Sequence, residues 1–148
     1  MRISAKGRYA LAATISIAQD YNKGEYITVI SISEKLGISK IYLEQVFSLL
    51  KRGNIVNSIK GAQGGYQLAR EPKDISVFEI LSAVELSIFE DTENTVLEKA
   101  PEIEAAMRSN IFEALDSSIK NTIEKISLYD LVIASEKNRE EQGFMFFI

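Results

Sequence analysis

Apolar residues recur three and four positions apart along much of this 148-residue chain, which is the spacing of helices with one buried face. Between residues 28 and 53 the pattern predicts two short helices. Thr28 and Ser39 can cap them, and Gly37 ends the first because glycine tolerates the left-handed conformation that closes a helix. Two helices joined by a glycine-containing turn predict a helix-turn-helix. The apolar face of the second helix consists of Leu43, Val46, Phe47 and Leu50.

An alternating stretch behind the second helix predicts a β-hairpin. Residues 55–60 are rich in β-branched side chains, and residues 66–69 can pair beside them. The link at 61–65 contains three glycines, which suit the positive φ angles of a hairpin loop. Helix pairs and glycine hairpins each occur in many folds, but in this order they predict a winged helix. We therefore expect a mainly α fold with a small β-hairpin wing.

The second half of the chain is predicted to contain the longest helix. Ser76 and Glu79 form a capping box before an apolar helix, and a polar, acidic loop follows over residues 87–100. From residue 101 to about 125, apolar residues recur every four positions, and because four residues turn ~400° the stripe wraps around the helix. Such a helix either crosses a twin in a dimer or lies buried in a core. The stripe consists of Ile103, Met107, Ile111, Leu115, Ile119 and Ile123.

The C-terminal region is predicted to be a short helix and a tail. Ser127 and Asp130 form a second capping box, and the helix behind it is expected to end near residue 135. Residues 138–143 are polar and are interpreted as a linker. The last five residues are all apolar: Phe144, Met145, Phe146, Phe147 and Ile148. An apolar terminus in water is unfavourable, so we expect a partner protein or the chain's own dimer to cover it.

Charge is divided unevenly between the two halves of the chain. Residues 1–73 contain eleven Lys and Arg against five Asp and Glu, a net charge of +6, and residues 74–148 contain six against sixteen, a net charge of −10. Attraction to phosphate depends on the local patch rather than on the total of −4. The first half therefore suits DNA, although the same charges could simply make two surfaces soluble.

Polar side chains stand where a winged helix meets DNA. The start of the second helix enters a major groove, where Gln45 can pair with adenine and Glu44 can accept a hydrogen bond from cytosine. The basic residues before and within the first helix either meet phosphate or are solvated terminal charges. The candidate DNA-binding residues are Arg2, Lys6, Arg8, Ser39, Lys40, Tyr42, Glu44, Gln45, Lys51, Arg52, Lys60, Gln63 and Gly64.

Several kinds of chemistry are excluded by composition. The chain contains no histidine and no cysteine, so it cannot offer thiolate or imidazole ligands or a Cys/His or Ser/His nucleophile pair. The loop at 61–65 lacks the Gly-Lys-Ser/Thr ending of a phosphate loop. We therefore expect neither an enzyme nor a bound metal or cofactor. No apolar run is long enough to span a membrane, and we expect a cytoplasmic protein.

Four short motifs stand out in the first half: MRISAKGRYAL at residues 1–11, GIS at 37–39, YLEQ at 42–45 and GAQGGY at 61–66. Together they resemble the Rrf2 family of bacterial winged-helix transcription regulators. The resemblance implies a homodimer whose first helix lies on the DNA backbone and whose long helix crosses its twin. Cluster-binding members have three cysteines in the acidic loop, and this chain has none. At the wing base Lys60 stands where the family often has arginine, and lysine lacks the planar two-point grip on guanine.

Within this family the chain looks most similar to the cysteine-metabolism repressor, which works without an iron–sulfur cluster. The resemblance implies a homodimeric repressor of cysteine and sulfur metabolism genes that binds an imperfect palindrome. It also implies cysteine synthase (O-acetylserine sulfhydrylase) as a partner of the tail, through Phe146, Phe147 and Ile148. A hypothesis from another class is a dimeric protein-interaction module without meaningful DNA affinity. The expected units are residues 1–86 for DNA binding, a loop at 87–100, dimerisation helices at 101–135 and a tail at 136–148.

Overall fold

A computed structural model describes residues 2–21, 25–59 and 64–146. These ranges are mostly helical and include one two-stranded antiparallel hairpin, so the predicted fold class is confirmed. No helix in them is long and apolar enough to cross a membrane. The elements are α1 (Ala5–Gln19), α2 (Val29–Leu36), α3 (Lys40–Arg52), β1 (Val56–Ile59), β2 (Gly65–Leu68), α4 (Val77–Val84), α5 (Pro101–Met107), α6 (Glu113–Glu124) and α7 (Leu128–Phe146).

Local side-chain caps fix the starts of the first four helices. The hydroxyls of Ser4, Thr28, Ser39 and Ser76 each accept a hydrogen bond from a free amide in the first turn of the helix that follows. Such a cap contributes about 1 kcal/mol. Gly37 adopts a left-handed φ of 68° at the end of α2, as predicted. The boundaries of the helix-turn-helix therefore follow from residues a few positions apart.

The core lies where α1 crosses α3 and α4. All four residues of the predicted α3 face are fully buried. On α1 the buried face is formed by Ala10, Ala13 and Ile17, whereas Leu11 and Ile15 are only partly covered. The small alanines let neighbouring helices approach closely, which leaves the bulkier side chains at the rim of the contact.

The wing is fixed to the helix-turn-helix by two contacts with Tyr66. Its ring stacks on Phe47 of α3, with 4.5 Å between centroids. Its backbone exchanges two hydrogen bonds of 2.8 Å with Ile27, which lies just before α2. Within the hairpin, Val56 pairs with Leu68. The position of the wing relative to α3 is thus set by the third segment at Ile27, which sequence analysis did not predict.

The predicted long helix contains a π-helical turn, Arg108–Phe112, between α5 and α6. A π turn accommodates one extra residue, which sets the following residues back by about 100°. The four-residue stripe would otherwise drift through about 200° along the helix, and the π turn confines it to about 120°. The stripe therefore lies along one side of the helix and does not wrap around it as predicted.

Much of this stripe is uncovered. Ile103, Ile111 and Leu115 are 52%, 48% and 57% exposed, and α6 has no buried residue. α6 contacts α4 of the same chain. In the C-terminal half of α6, Ile119 and Ile123 are partly covered. Within a single chain this helix is therefore not a buried core helix, and that alternative is wrong.

The C-terminal helix is longer than predicted. The capping box is confirmed, because Ser127 and Asp130 exchange hydrogen bonds of 3.0 and 3.1 Å between backbone amides and side-chain oxygens. α7 then continues to Phe146, so the linker predicted at 138–143 is wrong. Arg139, Glu140, Glu141 and Gln142 are good helix formers, and polarity alone did not indicate a break. Leu128 and Val132 bury the first half of α7, and its second half is largely exposed up to residue 142.

Candidate nucleic-acid interface

One face of α3 is completely free of the protein core. At 100° per residue, Ile41, Gln45, Ser48 and Arg52 fall in line on the side opposite the buried residues, and all four are exposed. Ile41 is 72% exposed, which is unusual for an isoleucine and suits contact with a thymine methyl group. Sequence analysis passed over Ile41, although its position off the buried face was a usable signal.

Glu44 is paired with Lys40 on the same surface. The ammonium nitrogen and the carboxylate oxygen are 3.8 Å apart, and both side chains are about half exposed. An exposed pair at this spacing on a helix contributes only about 0.3–0.5 kcal/mol. Lys40 therefore balances the charge of Glu44 on this surface, and the pair can open at little cost.

Tyr42 connects α3 to the start of α1. Its ring meets Tyr9 edge to face, with centroids 5.0 Å apart. Lys6 lies beside it, and both side chains line one hollow between α1 and α3. The structure thus brings the basic N-terminal turn next to the start of α3. Tyr42 itself is partly engaged with Tyr9 rather than freely projecting.

The remaining basic candidates occupy different environments. Arg8 donates a 2.7 Å hydrogen bond to the Ile3 carbonyl, which uses one of its five N–H groups to hold the N-terminal segment. Arg2 is exposed. Lys51 and Arg52 are exposed in the last turn of α3, about 17 Å from its start. That distance suits a phosphate contact more than base contacts beside Gln45.

The wing contributes a second side to the interface. Gly64 has a φ of 62°, as its place in the hairpin loop predicted. A groove between α3 and the wing is lined by Glu44, Ile59 and Gly64, among others, and Ile59 is 47% exposed. Lys60 and Gln63 lie outside the described residues, so their predicted contacts stay predictions.

An ion pair joins the end of the wing to α4. Arg70 lies 2.9 Å from the Glu79 carboxylate, which also accepts a hydrogen bond from the Ser76 amide. Burial by itself would raise the pKa of Glu79, but these hydrogen bonds and the Arg70 charge together lower it below the ordinary glutamate value. Glu79 is therefore ionised at neutral pH and serves the capping box that the sequence predicted.

The acidic loop is held by side chains from the long helix. Glu104 is only 2% exposed, and its carboxylate accepts hydrogen bonds from the amides of Thr95 and Val96, which lower its pKa. One turn later, Arg108 donates to the Thr92 carbonyl at 2.9 Å. Sequence analysis missed both contacts, because nothing local marks a helix side chain that binds a loop.

The donor chemistry of this loop does not suit an iron–sulfur cluster. Such clusters are held mainly by cysteine thiolates, with histidine in some centres, and the chain contains neither residue. The loop instead offers exposed carboxylates such as Glu90, Asp91 and Glu93. Across the described ranges, no three acidic side chains come close enough together to hold a metal ion.

Comparison with known proteins agrees with this geometry. A family model named Rrf2 and described as "Iron-dependent Transcriptional regulator" matches residues 3–134. The HTH-type transcriptional regulator IscR of Aliivibrio salmonicida is 34% identical over 136 residues, which cover 92% of this chain and 80% of that protein. IscR of Escherichia coli is 42% identical over 88 residues, which cover 60% of this chain and 54% of that protein.

Two solved structures resemble the whole arrangement. CymR (YrzC), titled the global cysteine regulator of B. subtilis, superposes with a TM-score of 0.74 at 30% identity, over 90% of this chain and 98% of that one. IscR of T. potens gives the same TM-score at 32% identity, over 99% of this chain and 96% of that one. Both likenesses include the long helix as well as the winged helix, since each covers nearly all of the chain.

Proposed function

Because the chain belongs to the Rrf2 family of DNA-binding transcriptional regulators, which are not enzymes, we propose that it is a cytoplasmic, homodimeric repressor of cysteine or sulfur metabolism genes. The observation that supports DNA contact here is the exposed face of α3, which presents Gln45 at its centre and basic residues at both ends. The start of α1 and the wing flank it. The likeness to the B. subtilis cysteine regulator supports the choice of target genes.

Dimerisation is supported by the uncovered stripe of the long helix. Three large apolar side chains there are about half exposed, and they lie on one side of a helical run of about 36 Å. A second copy of the same stripe would bury them, and a twofold arrangement would present two recognition helices to one imperfect palindrome.

DNA binding is tested by a gel shift on a pool of random duplexes followed by selection of the bound sequences. We expect a salt-sensitive shifted band and a selected motif with twofold symmetry, because phosphate contacts release counterions. A dimeric protein-interaction module, the second hypothesis, would give no shifted band and no motif.

Regulation without an iron–sulfur cluster is the second part of the proposal. The family description and the relatives named IscR point toward iron, but the ligands that such a cluster needs are missing from this sequence. In their place, Glu104 and Arg108 hold the loop through direct hydrogen bonds.

We expect protein purified under anaerobic conditions to be colourless, without stoichiometric iron or sulfide. Elemental analysis and visible absorption spectra measure this, and operator affinity should be the same before and after treatment with a chelator. Stoichiometric iron whose removal changes DNA affinity would contradict the proposal.

The tail is proposed to bind cysteine synthase. α7 extends well beyond the contact of Leu128 and Val132 with the core, so its second half is available to a partner. Phe147, Ile148 and the side chain of Phe146 lie outside the described part of the structure. The support is chemical: two aromatic side chains and a branched one follow each other at residues 146–148, and such side chains can fill an apolar pocket of a partner.

Deleting Ile148 alone is expected to abolish binding of cysteine synthase and leave the fold and intrinsic DNA affinity unchanged. Calorimetry with the purified synthase measures the first effect, and O-acetylserine should displace the wild-type tail. Replacing Ile148 with Leu, which keeps an apolar side chain of the same size, should weaken binding far less. Unchanged synthase affinity after the deletion, or no competition by O-acetylserine, would remove the tail from the proposal in favour of packing on its own dimer.

A further inference from the structure

The N-terminal turn of α1 is fastened to the end of α4 by Glu85. Its Oε1 atom accepts a 2.9 Å hydrogen bond from the Ser4 amide and another from the Ser4 hydroxyl. Glu85 is the residue directly behind α4, 81 positions along the chain from Ser4. The carboxylate also lies at the positive end of the α1 dipole, which favours it. This contact fixes where α1 begins relative to the rest of the domain.

Gly7 leaves the space that this contact needs. A Cβ atom added at Gly7 would lie 2.5 Å from Oε1 of Glu85 and 2.7 Å from Cγ2 of Ile3. Oε1 is at the end of a flexible side chain, whereas Cγ2 is a methyl group on the branched Cβ of Ile3, which lies before the helix. An alanine would therefore displace the Glu85 carboxylate and the Ile3 segment rather than disrupt the helix. Gly7→Ala should thus break the bond to Ser4 without changing any charge, and alanine favours the helix more than glycine does.

The same turn contains the basic side chains proposed to meet the DNA backbone. Lys6, Tyr42 and Glu85 line one hollow between α1, α3 and the end of α4, and Tyr9 packs on Tyr42. Phosphate contacts set the register of a protein on the duplex, and base contacts then specify sequence. A shift of the α1 turn relative to α3 would therefore prevent both kinds of contact from forming together.

We propose that Glu85 is a positioning residue for DNA binding, which holds Arg2 and Lys6 at the spacing from α3 that one duplex requires. The proposal rests on the DNA interface described above. The proposed effect of Glu85 on DNA affinity is opposite to the effect of its charge, because a carboxylate near DNA repels phosphate. If Glu85 acted only through its charge, removing it would strengthen binding. As a positioning residue, it strengthens binding despite its charge.

The test compares Glu85→Ala, Gly7→Ala and Glu90→Gln in the full-length protein on the selected operator. Glu90 lines the same hollow, and its side chain has no hydrogen bond to Ser4 in the described structure, so its variant removes the same charge without breaking the contact. We expect Glu85→Ala and Gly7→Ala to weaken binding about tenfold and to lower the salt slope by about one for each lost phosphate contact. Glu90→Gln should bind as tightly as wild type or more tightly.

Melting temperatures separate positioning from stability. Lower melting temperatures with an unchanged salt slope would show that Glu85 only stabilises the fold, and would overturn the proposal. Tighter binding by Glu85→Ala, or wild-type affinity and slope for both contact-breaking variants, would overturn it as well, while leaving the DNA interface in place. If the wild type itself bound no duplex, the proposed function would fail with it.

Discussion

Leu115→Glu is expected to convert the proposed dimer into folded monomers and to reduce operator affinity by at least a hundredfold. Leu115 is the most exposed residue of the stripe, so its loss removes nothing from the core of one chain. In a twofold interface the change occurs twice, and each lost leucine burial costs about 1.5–3 kcal/mol. Two carboxylates would also have to be desolvated there. Sedimentation equilibrium gives the association constant, and a gel shift gives the affinity.

The matched control for this prediction is Asn121→Glu. Asn121 is exposed on the same helix but lies off the stripe. Asn121→Glu therefore adds the same charge as Leu115→Glu, but outside the proposed interface. We expect this variant to remain dimeric and to bind the operator nearly as well as wild type. A dimeric Leu115→Glu protein would show that another surface joins the two chains.

Gln45→Ala is expected to change which base is preferred at one position of each half-site, with about 1–3 kcal/mol of discrimination lost there. Gln45 is exposed at the centre of the free α3 face, and an amide can pair with adenine through two hydrogen bonds. Since both half-sites are affected, binding to the selected operator should weaken by about thirtyfold to about twenty-thousandfold. Selection from random duplexes with the variant measures the change of motif.

Lys51→Gln is the contrasting variant for this prediction. Lys51 is exposed in the last turn of α3, where it can reach phosphate but not the bases beside Gln45. Its loss should weaken binding equally on all sequences and lower the salt slope by about one for each protomer. If Gln45→Ala selected the same motif as the wild type, α3 would not be the helix that reads the bases.

The elements that sequence analysis placed correctly depend on residues close together in the chain. The caps at Thr28 and Ser39, the left-handed Gly37 and the buried face of α3 all involve groups within a few positions of one another. A helix-turn-helix is defined by such local rules, and the hairpin behind it follows from alternation and glycine. The winged helix could therefore be predicted without knowing what packs against it.

Local patterns were less informative in the second half. The four-residue stripe correctly marked a long helix but not its π turn, because the extra residue at 108–112 leaves no signature in the spacing. The polar residues at 138–143 predict a linker, whereas α7 continues through them. The first error concerned the course of a predicted helix, and the second concerned where a predicted helix ends.

The sequence by itself determined the winged helix, the candidate base-reading residue Gln45 and the lack of cluster ligands, since these depend on composition and on neighbours along one helix or turn. Only the tertiary structure decided which distant segments of the chain lie in contact. Tyr66 meets Ile27, and Glu85 meets Ser4, across separations of 39 and 81 positions. Such pairings are set by the packing of α1, α3 and α4 around one core, and no local spacing encodes them.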